Sequence, residues 1–229
     1  MDDAPLLVDH PRDGVSRLRL DRPERHNALD GALVEALHDA VEAERENAIV
    51  LSSSAPGRFC GGADTSLGDA ERAAVSDALY RLYARVLQLP RPVLAALDGP
   101  AIGGGLQLAI ACDLRIAAPG AWLQARGPGH GLAVAAWGLP TLVGRGRALD
   151  LCLTGRPVSA QDALAIGLVD RVEDDPGAAA VALAAELAAL DEAAVARVKT
   201  VVARSGDPAS ALGEEAAGNR GWTGALPPR

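Results

Sequence analysis

Two glycine clusters carry the backbone groups best suited to chemistry. Gly103, Gly104 and Gly105 stand between an apolar run that ends at Ile102 and an apolar stretch over residues 106–111. Gly61 and Gly62, followed by Ala63 and Asp64, come after a second apolar run over residues 48–51. Glycine is costly in a chain wherever no geometry requires it. A strand, then glycines, then a helix leaves unobstructed N–H groups at the helix N-terminus, where they suit a negative oxygen. Two such turns can converge on one oxygen atom.

The elements that would hold these turns follow from the hydrophobic pattern. Residues 93–97 read as a buried strand leading to the first cluster, and residues 104–112 as the helix behind it. Residues 48–51 are a short strand leading to the second cluster. Upstream, residues 6–8 and 15–20 read as strands around an Asp13-Gly14 turn. Residues 28–44 are helical, with Leu29, Leu33, Leu37 and Val41 recurring every four positions. Residues 69–89 form a second helix, with Leu79, Leu82, Val86 and Leu89 on one side, stopped by Pro90 and Pro92. Residues 114–117 are a strand, while residues 119–138 show little periodicity. Residues 145–153 read as helix. Ser159 opens a short helix with Asp162 three positions on. Residues 168–172 are a strand, residues 177–190 and 191–203 are alanine-rich helices, and residues 218–229 are a loose tail. Strands alternating with helices predict an α/β fold with parallel pairing.

The chain has 229 residues, enough for one domain with a sizeable core, or one domain and a small appendage. Aromatics are only 3%, so Ala, Leu and Val must fill that core, and no base-stacking platform is expected. The net charge of −8 also argues against a polyanion, so no nucleic-acid partner is expected. Local donors can still hold one phosphorylated ligand. Cys60, Cys112 and Cys152 are odd in number and widely spaced, without a C-x-x-C pair, which fits a reducing cytosol rather than a disulfide framework. No metal centre is expected. The first residues lack a basic segment followed by an apolar one, and no run is long enough to span a membrane. A cytoplasmic protein away from membranes is the expectation.

Several stretches, in this order, resemble the crotonase (enoyl-CoA hydratase/isomerase) superfamily. They are Leu20-Asp21-Arg22-Pro23-Glu24-Arg25-His26-Asn27-Ala28-Leu29, then Arg58-Phe59-Cys60-Gly61-Gly62-Ala63-Asp64, then Arg91 through Leu106 with its Asp98-Gly99-Pro100 and triple glycine. Cys112-Asp113-Leu114-Arg115, Leu139-Pro140, Leu153-Thr154-Gly155-Arg156, Ser159-Ala160-Gln161-Asp162 and Gly167-Leu168-Val169-Asp170 complete the set across residues 15–172. The resemblance implies a crotonase-like spiral of ββα repeats over residues 1–175. A shortened C-terminal helical region over residues 176–229 would close it, and the assembly would be a homotrimer or hexamer. The implied ligand is an acyl thioester of coenzyme A, with coenzyme A entering as part of the substrate and no group bound covalently. The thioester oxygen would lie between the N–H groups of Ala63 and Gly104, in turns built by Cys60, Gly61 and Gly103.

The chain departs from the family where acid–base chemistry is expected. Hydratases of the family carry a glutamate three residues after the oxyanion glycine, and Gln107 stands there. A carboxamide hydrogen-bonds but does not accept a proton as a base near neutrality. A second glutamate is expected about twenty residues on, where gap-free counting gives Gly127. No Asp or Glu occurs between Leu114 and Leu149. Ordinary hydratase or isomerase activity is therefore not expected.

His130 is a candidate general acid or base, since imidazole titrates near neutrality; otherwise it only hydrogen-bonds within a glycine-rich loop. Asp64 orients its loop or lies against the ligand. Asp69 and Glu71 reach inward or face solvent. Asp113 and Arg115 form a structural pair or cap. Trp137 packs at the pocket wall or at a subunit contact. Arg22 and Arg25 are candidates for the coenzyme A phosphates, with Thr65 and Ser66 where the family often has a lysine. Two functions remain open. One is a lyase- or isomerase-type enzyme working through a stabilised enolate. The other is an acyl-CoA-binding or helper protein without turnover, in lipid or natural-product metabolism, including a structural partner that stabilises a catalytic paralogue in a mixed oligomer.

Overall fold

The computed structural model describes residues 4–203. The expected loose tail at residues 218–229 lies outside them. The chain opens with a hairpin of β1 (Leu6–Arg12) and β2 (Val15–Leu20), turning at Gly14 with φ +74°. β1 runs four residues beyond the expected strand. An edge strand needs no continuous apolar pattern, and Asp9 holds it by a two-pronged pair to Arg17 at 2.9 and 2.6 Å.

A 3₁₀ turn (Pro23–Arg25) precedes α1 (Gly31–Ala43), whose N-cap Asp30 accepts from the Leu33 N–H. The helix begins later than expected because Leu29 is extended and bridges Ala63. Next come β3 (Ala48–Ser53), α2 (Asp69–Gln88), β4 (Val93–Leu97), β5 (Ala101–Ile102), α3 (Gly104–Ala111), β6 (Leu114–Ala117) and β7 (Trp122–Gln124). Then follow a 3₁₀ turn (Pro128–His130), α4 (Leu139–Val143), α5 (Arg145–Thr154), β8 (Val158–Ser159), α6 (Ala160–Ile166), β9 (Arg171–Val172), α7 (Pro176–Ala188) and α8 (Glu192–Ala203). Residues 119–138, weakly patterned in sequence, contain β7 and the Pro128–His130 turn, and α4 follows them. The expected strand over 168–172 shrinks to β9, because the N–H groups of Leu168 and Val169 turn back to Ala163 O and close α6.

Two sheets stack. One has the order β1-β2-β3-β4-β6-β9, parallel after the first hairpin; the other has β5-β7-β8. The chain passes from one sheet to the other in successive ββα turns: β4, β5 and α3 form one of them. β3 makes the same passage with a single bridge, Cys60 to Ala101, in place of a full strand. The large sheet is buried on both faces, as parallel sheets are. Ile49 and Leu51 face α1 and α2, while Ala48 and Val50 face Ala180, Val181 and Ala184 of α7. The small side chains of α7 let it lie close on the sheet.

One expected pair is corrected. Arg115 is 2% exposed and pairs with Asp170 at 2.8 Å, not with the Asp113 carboxylate. Asp113 instead accepts from the Val93 N–H and from Lys199 Nζ at 2.6 Å, tying α8 to the sheet. Both arrangements satisfy buried polar groups that each other's side chains do not reach.

Candidate active site

Each of the two donor turns is set by its own ladder of hydrogen bonds. The Cys60 N–H donates to Pro100 O and the Ile102 N–H to Cys60 O, both at 3.0 Å. This lays residues 60–64 against β5. Gly62 has φ +98°, and a Cβ there would stand 2.8 Å from Ile102 O, so only glycine permits the approach. The Leu29 N–H donates to Gly62 O at 2.8 Å and the Asp64 N–H to Leu29 O at 2.9 Å. Ala63 lies between them, exposed, and its N–H has no acceptor among the described residues.

Gly103, at φ +54°, turns the chain into α3 while its N–H donates to Gln124 O at 2.9 Å. The Gly104 N–H that follows opens the helix, again without an acceptor among the described residues. The two turns abut: a Cβ on Gly104 would lie 3.4 Å from the Ala63 nitrogen. Gly105 is equally constrained, since a Cβ there would stand 2.5 Å from Cys60 O. Two adjacent free N–H groups, one at a helix N-terminus, can stabilise a negative oxygen.

Aromatic side chains are scarce, three Trp, two Tyr and one Phe, and their placement is therefore informative. Phe59 and Trp122 line the cavity beside Ala63. Tyr83 is buried, donates its hydroxyl to Gly104 O at 2.9 Å, and stacks on Trp137 with centroids 6.3 Å apart. Tyr80 meets Tyr83 edge-on. Burial pushes the Tyr83 phenol well above its ordinary value, so it stays a donor and fixes the first turn of α3. Trp137 Nε1–H donates to Gln107 Oε1 at 3.0 Å, and so does the Ala135 N–H.

A cavity of about 870 Å³ opens beside Ala63. Arg25, His26, Arg58, Cys60, Gly61 and Asp64 lie along it, and Arg126 and Ile102 bound the side toward α3. Three guanidinium groups against the carboxylates of Glu24 and Asp64 leave this wall positive, although the chain as a whole is acidic. Arg22, a phosphate candidate in sequence, is instead structural. It binds Asp30 at 2.7 Å, Ala28 O, and Asp64 at 3.7 Å. Asp64 accepts from the Ser66 hydroxyl and N–H, and these bonds, helped by Arg22 and Arg25, hold its carboxyl below the usual range. It serves as a loop anchor. Cys60 donates to Asn27 O, and burial pushes its thiol up to about 12, so it is no nucleophile.

The other sequence candidates fall outside this cluster. His130 lies exposed on the Pro128–His130 turn and is not part of the cavity wall. Asp69 pairs with Arg72, and Glu71 caps Gly68 at the start of α2. Gly127 is buried, and a Cβ there would stand 2.6 Å from Leu132 O and 2.9 Å from Val134 N. The following loop occupies the space a side chain would take. Sequence reasoning missed Arg58, Arg126, Tyr83 and Ala135. The signal available for Tyr83 was an aromatic inside a helix of an aromatic-poor chain.

Stacked ββα turns with paired free N–H groups between them define the crotonase class. The enoyl-CoA hydratase/isomerase family model matches residues 11–219, and the chain belongs to that family. It is 40% identical over 199 residues to "Probable enoyl-CoA hydratase echA6" of Mycobacterium leprae, covering 83% of this chain and 79% of that one. It is 36% identical over 191 residues to the mitochondrial enoyl-CoA hydratase domain-containing protein 2 of Bos taurus, covering 78% and 64%. Among solved structures it resembles an enoyl-CoA hydratase from Bacillus anthracis at TM-score 0.90 and 30% identity, covering 96% of this chain and 92% of that one. DspI of Pseudomonas aeruginosa matches at TM-score 0.86 and 29% identity, over 95% of each chain.

Proposed function

We propose that the chain binds an acyl thioester of coenzyme A, with the thioester oxygen between the N–H groups of Ala63 and Gly104. The observation that carries this is the pair of abutting turns whose N–H groups no described residue uses. Arg25, Arg58 and Arg126 supply cations for the phosphates of coenzyme A along the adjoining cavity. Negative charge developing on the thioester oxygen is stabilised by preorganised donors, each worth about 3 kcal/mol in a transition state. The reaction class that fits is a lyase or other enolate-type conversion rather than ordinary hydration, because Gln107 has no basic atom and the space at Gly127 is filled. Binding without turnover is the second reading, favoured by the same two positions.

Calorimetry with acetyl-CoA and a longer acyl-CoA tests the binding. Both are expected to bind; no heat with either at millimolar ligand sinks the reading. A homotrimer or hexamer in the cytoplasm is the assembly we propose. The bare Val198 and Val202 of α8, both over 60% exposed, support a covered surface in solution. Light scattering is expected to give three or six times the 23.4 kDa chain mass. A monomer at micromolar concentration overturns that assembly.

A further inference from the structure

We infer that Gln107 is a selectivity residue: its carboxamide presents an N–H donor that favours an acyl group carrying an acceptor oxygen on C3. The inference rests on the acyl-thioester reading above. Gln107 is the only polar side chain in α3 and is 5% exposed. Its oxygen is committed twice, to the Ala135 N–H and to Trp137 Nε1–H, each at 3.0 Å. Both neighbours are donors only, so the carboxamide can face them in just one orientation. Its NH₂ group must then point the other way, where it has no acceptor among the described residues.

The surroundings are built to hold that orientation. Ala135 is fully buried and sits at φ +62°, a region costly for a residue with a Cβ. This backbone aims its N–H at Gln107. Trp137, the second donor, is held by stacking on Tyr83, which in turn bonds Gly104 O. The Gln107 NH₂ group is not among the buried side-chain polar atoms left without a partner, so it opens onto accessible space, where a ligand oxygen can take the place of water.

Position relative to the oxyanion donors selects the acyl carbon. Gln107 follows Gly104 by three residues, on the same helix face, about 4.5 Å along the axis. Helical side chains lean toward the N-terminus, which brings the carboxamide back toward Gly104. A thioester whose C1 oxygen meets Gly104 therefore carries C3, rather than the distal chain, past Gln107. A 3-oxoacyl thioester places a carbonyl oxygen there; a saturated acyl chain leaves the NH₂ group unpaired.

The test compares the Kd of acetoacetyl-CoA with that of butyryl-CoA at pH 8 by calorimetry. The native protein is expected to prefer acetoacetyl-CoA by about three- to tenfold, the range of one neutral hydrogen bond. Gln107→Glu keeps an oxygen for Ala135 and Trp137 but replaces the donor by a second acceptor, and Gln107→Met removes the group. Both substitutions are expected to bring the ratio to one or below. A native ratio of one, or a ratio that survives Gln107→Glu, overturns the inference while leaving thioester binding in place. No binding of either thioester by the native protein overturns the acyl-thioester reading and this inference with it.

Discussion

Gly104→Pro and Ala63→Pro are each expected to reduce any turnover of an acyl-CoA by about 10²–10³-fold, the usual cost of removing one oxyanion donor. Proline deletes an N–H that has no internal acceptor among the described residues at either position, and adds a ring that the neighbours must accommodate. Gly104 opens α3, and the first position of a helix is where proline is best tolerated. A Cβ there meets Leu29 Cδ1 at 3.2 Å and the Tyr83 hydroxyl at 3.3 Å, so the neighbours must give by a few tenths of an ångström. Circular dichroism and oligomer size are therefore expected to match the native protein. A folded Gly104→Pro variant with full turnover removes Gly104 from the site.

Hydration of crotonyl-CoA is expected to be very slow or undetectable, and substituting glutamates is not expected to restore it. Hydration needs a base for the water and an acid for the α-carbon, and each such group typically contributes about 10²–10⁴-fold. Gln107 offers no ionisable atom, and its oxygen is already held by Ala135 and Trp137. Gly127 is more than an absent side chain. A Cβ there collides with Leu132 O at 2.6 Å, which is backbone and cannot swing aside. Gly127→Ala alone is expected to destabilise the protein by about 1–3 kcal/mol, the usual range for overpacking, read from the denaturant midpoint. The Gln107→Glu/Gly127→Glu double variant is expected to be less stable still and to remain a poor hydratase. A spectrophotometric assay of the conjugated enoyl thioester measures this directly. A kcat on the order of 10 s⁻¹ from the native chain, or from the double variant, contradicts the account of these two positions.

The parts of the site that depend on backbone geometry were legible in the residue types. Gly62 and Gly103 need positive φ, and Gly105 needs the absence of a Cβ, so their glycines announce the turns. The resemblance to the family located Gln107, which stands three residues after Gly104 where the family carries a glutamate. The partners of these residues were hidden. Tyr83 reaches Gly104 from 21 residues upstream, and an aromatic in a helix does not by itself name that partner. Ala135 shows no sign in sequence of a left-handed backbone, since alanine is not the residue such a position favours. Counting placed Gly127 where the family carries a glutamate, but the closure of the loop onto it appears only in three dimensions. His130 was conspicuous as an ionisable residue in a segment poor in them, and it sits exposed on the Pro128–His130 turn. In the fold, long apolar elements such as α2 and β4 were readable, while β7 and β8 are too short to impose a period.

The same two proline variants allow the most direct test of the central claim, that Ala63 and Gly104 together hold the thioester oxygen. Hydrogen bonds to a carbonyl oxygen draw density from the C=O bond and lower its stretching frequency. Infrared difference spectra of a ¹³C-carbonyl acyl-CoA, free and bound, report that oxygen alone. The native protein is expected to shift the band to lower frequency than in water, and Ala63→Pro and Gly104→Pro are each expected to reverse most of the shift. A bound thioester whose carbonyl band is unshifted in the native protein, or equally shifted in both variants, contradicts the claim.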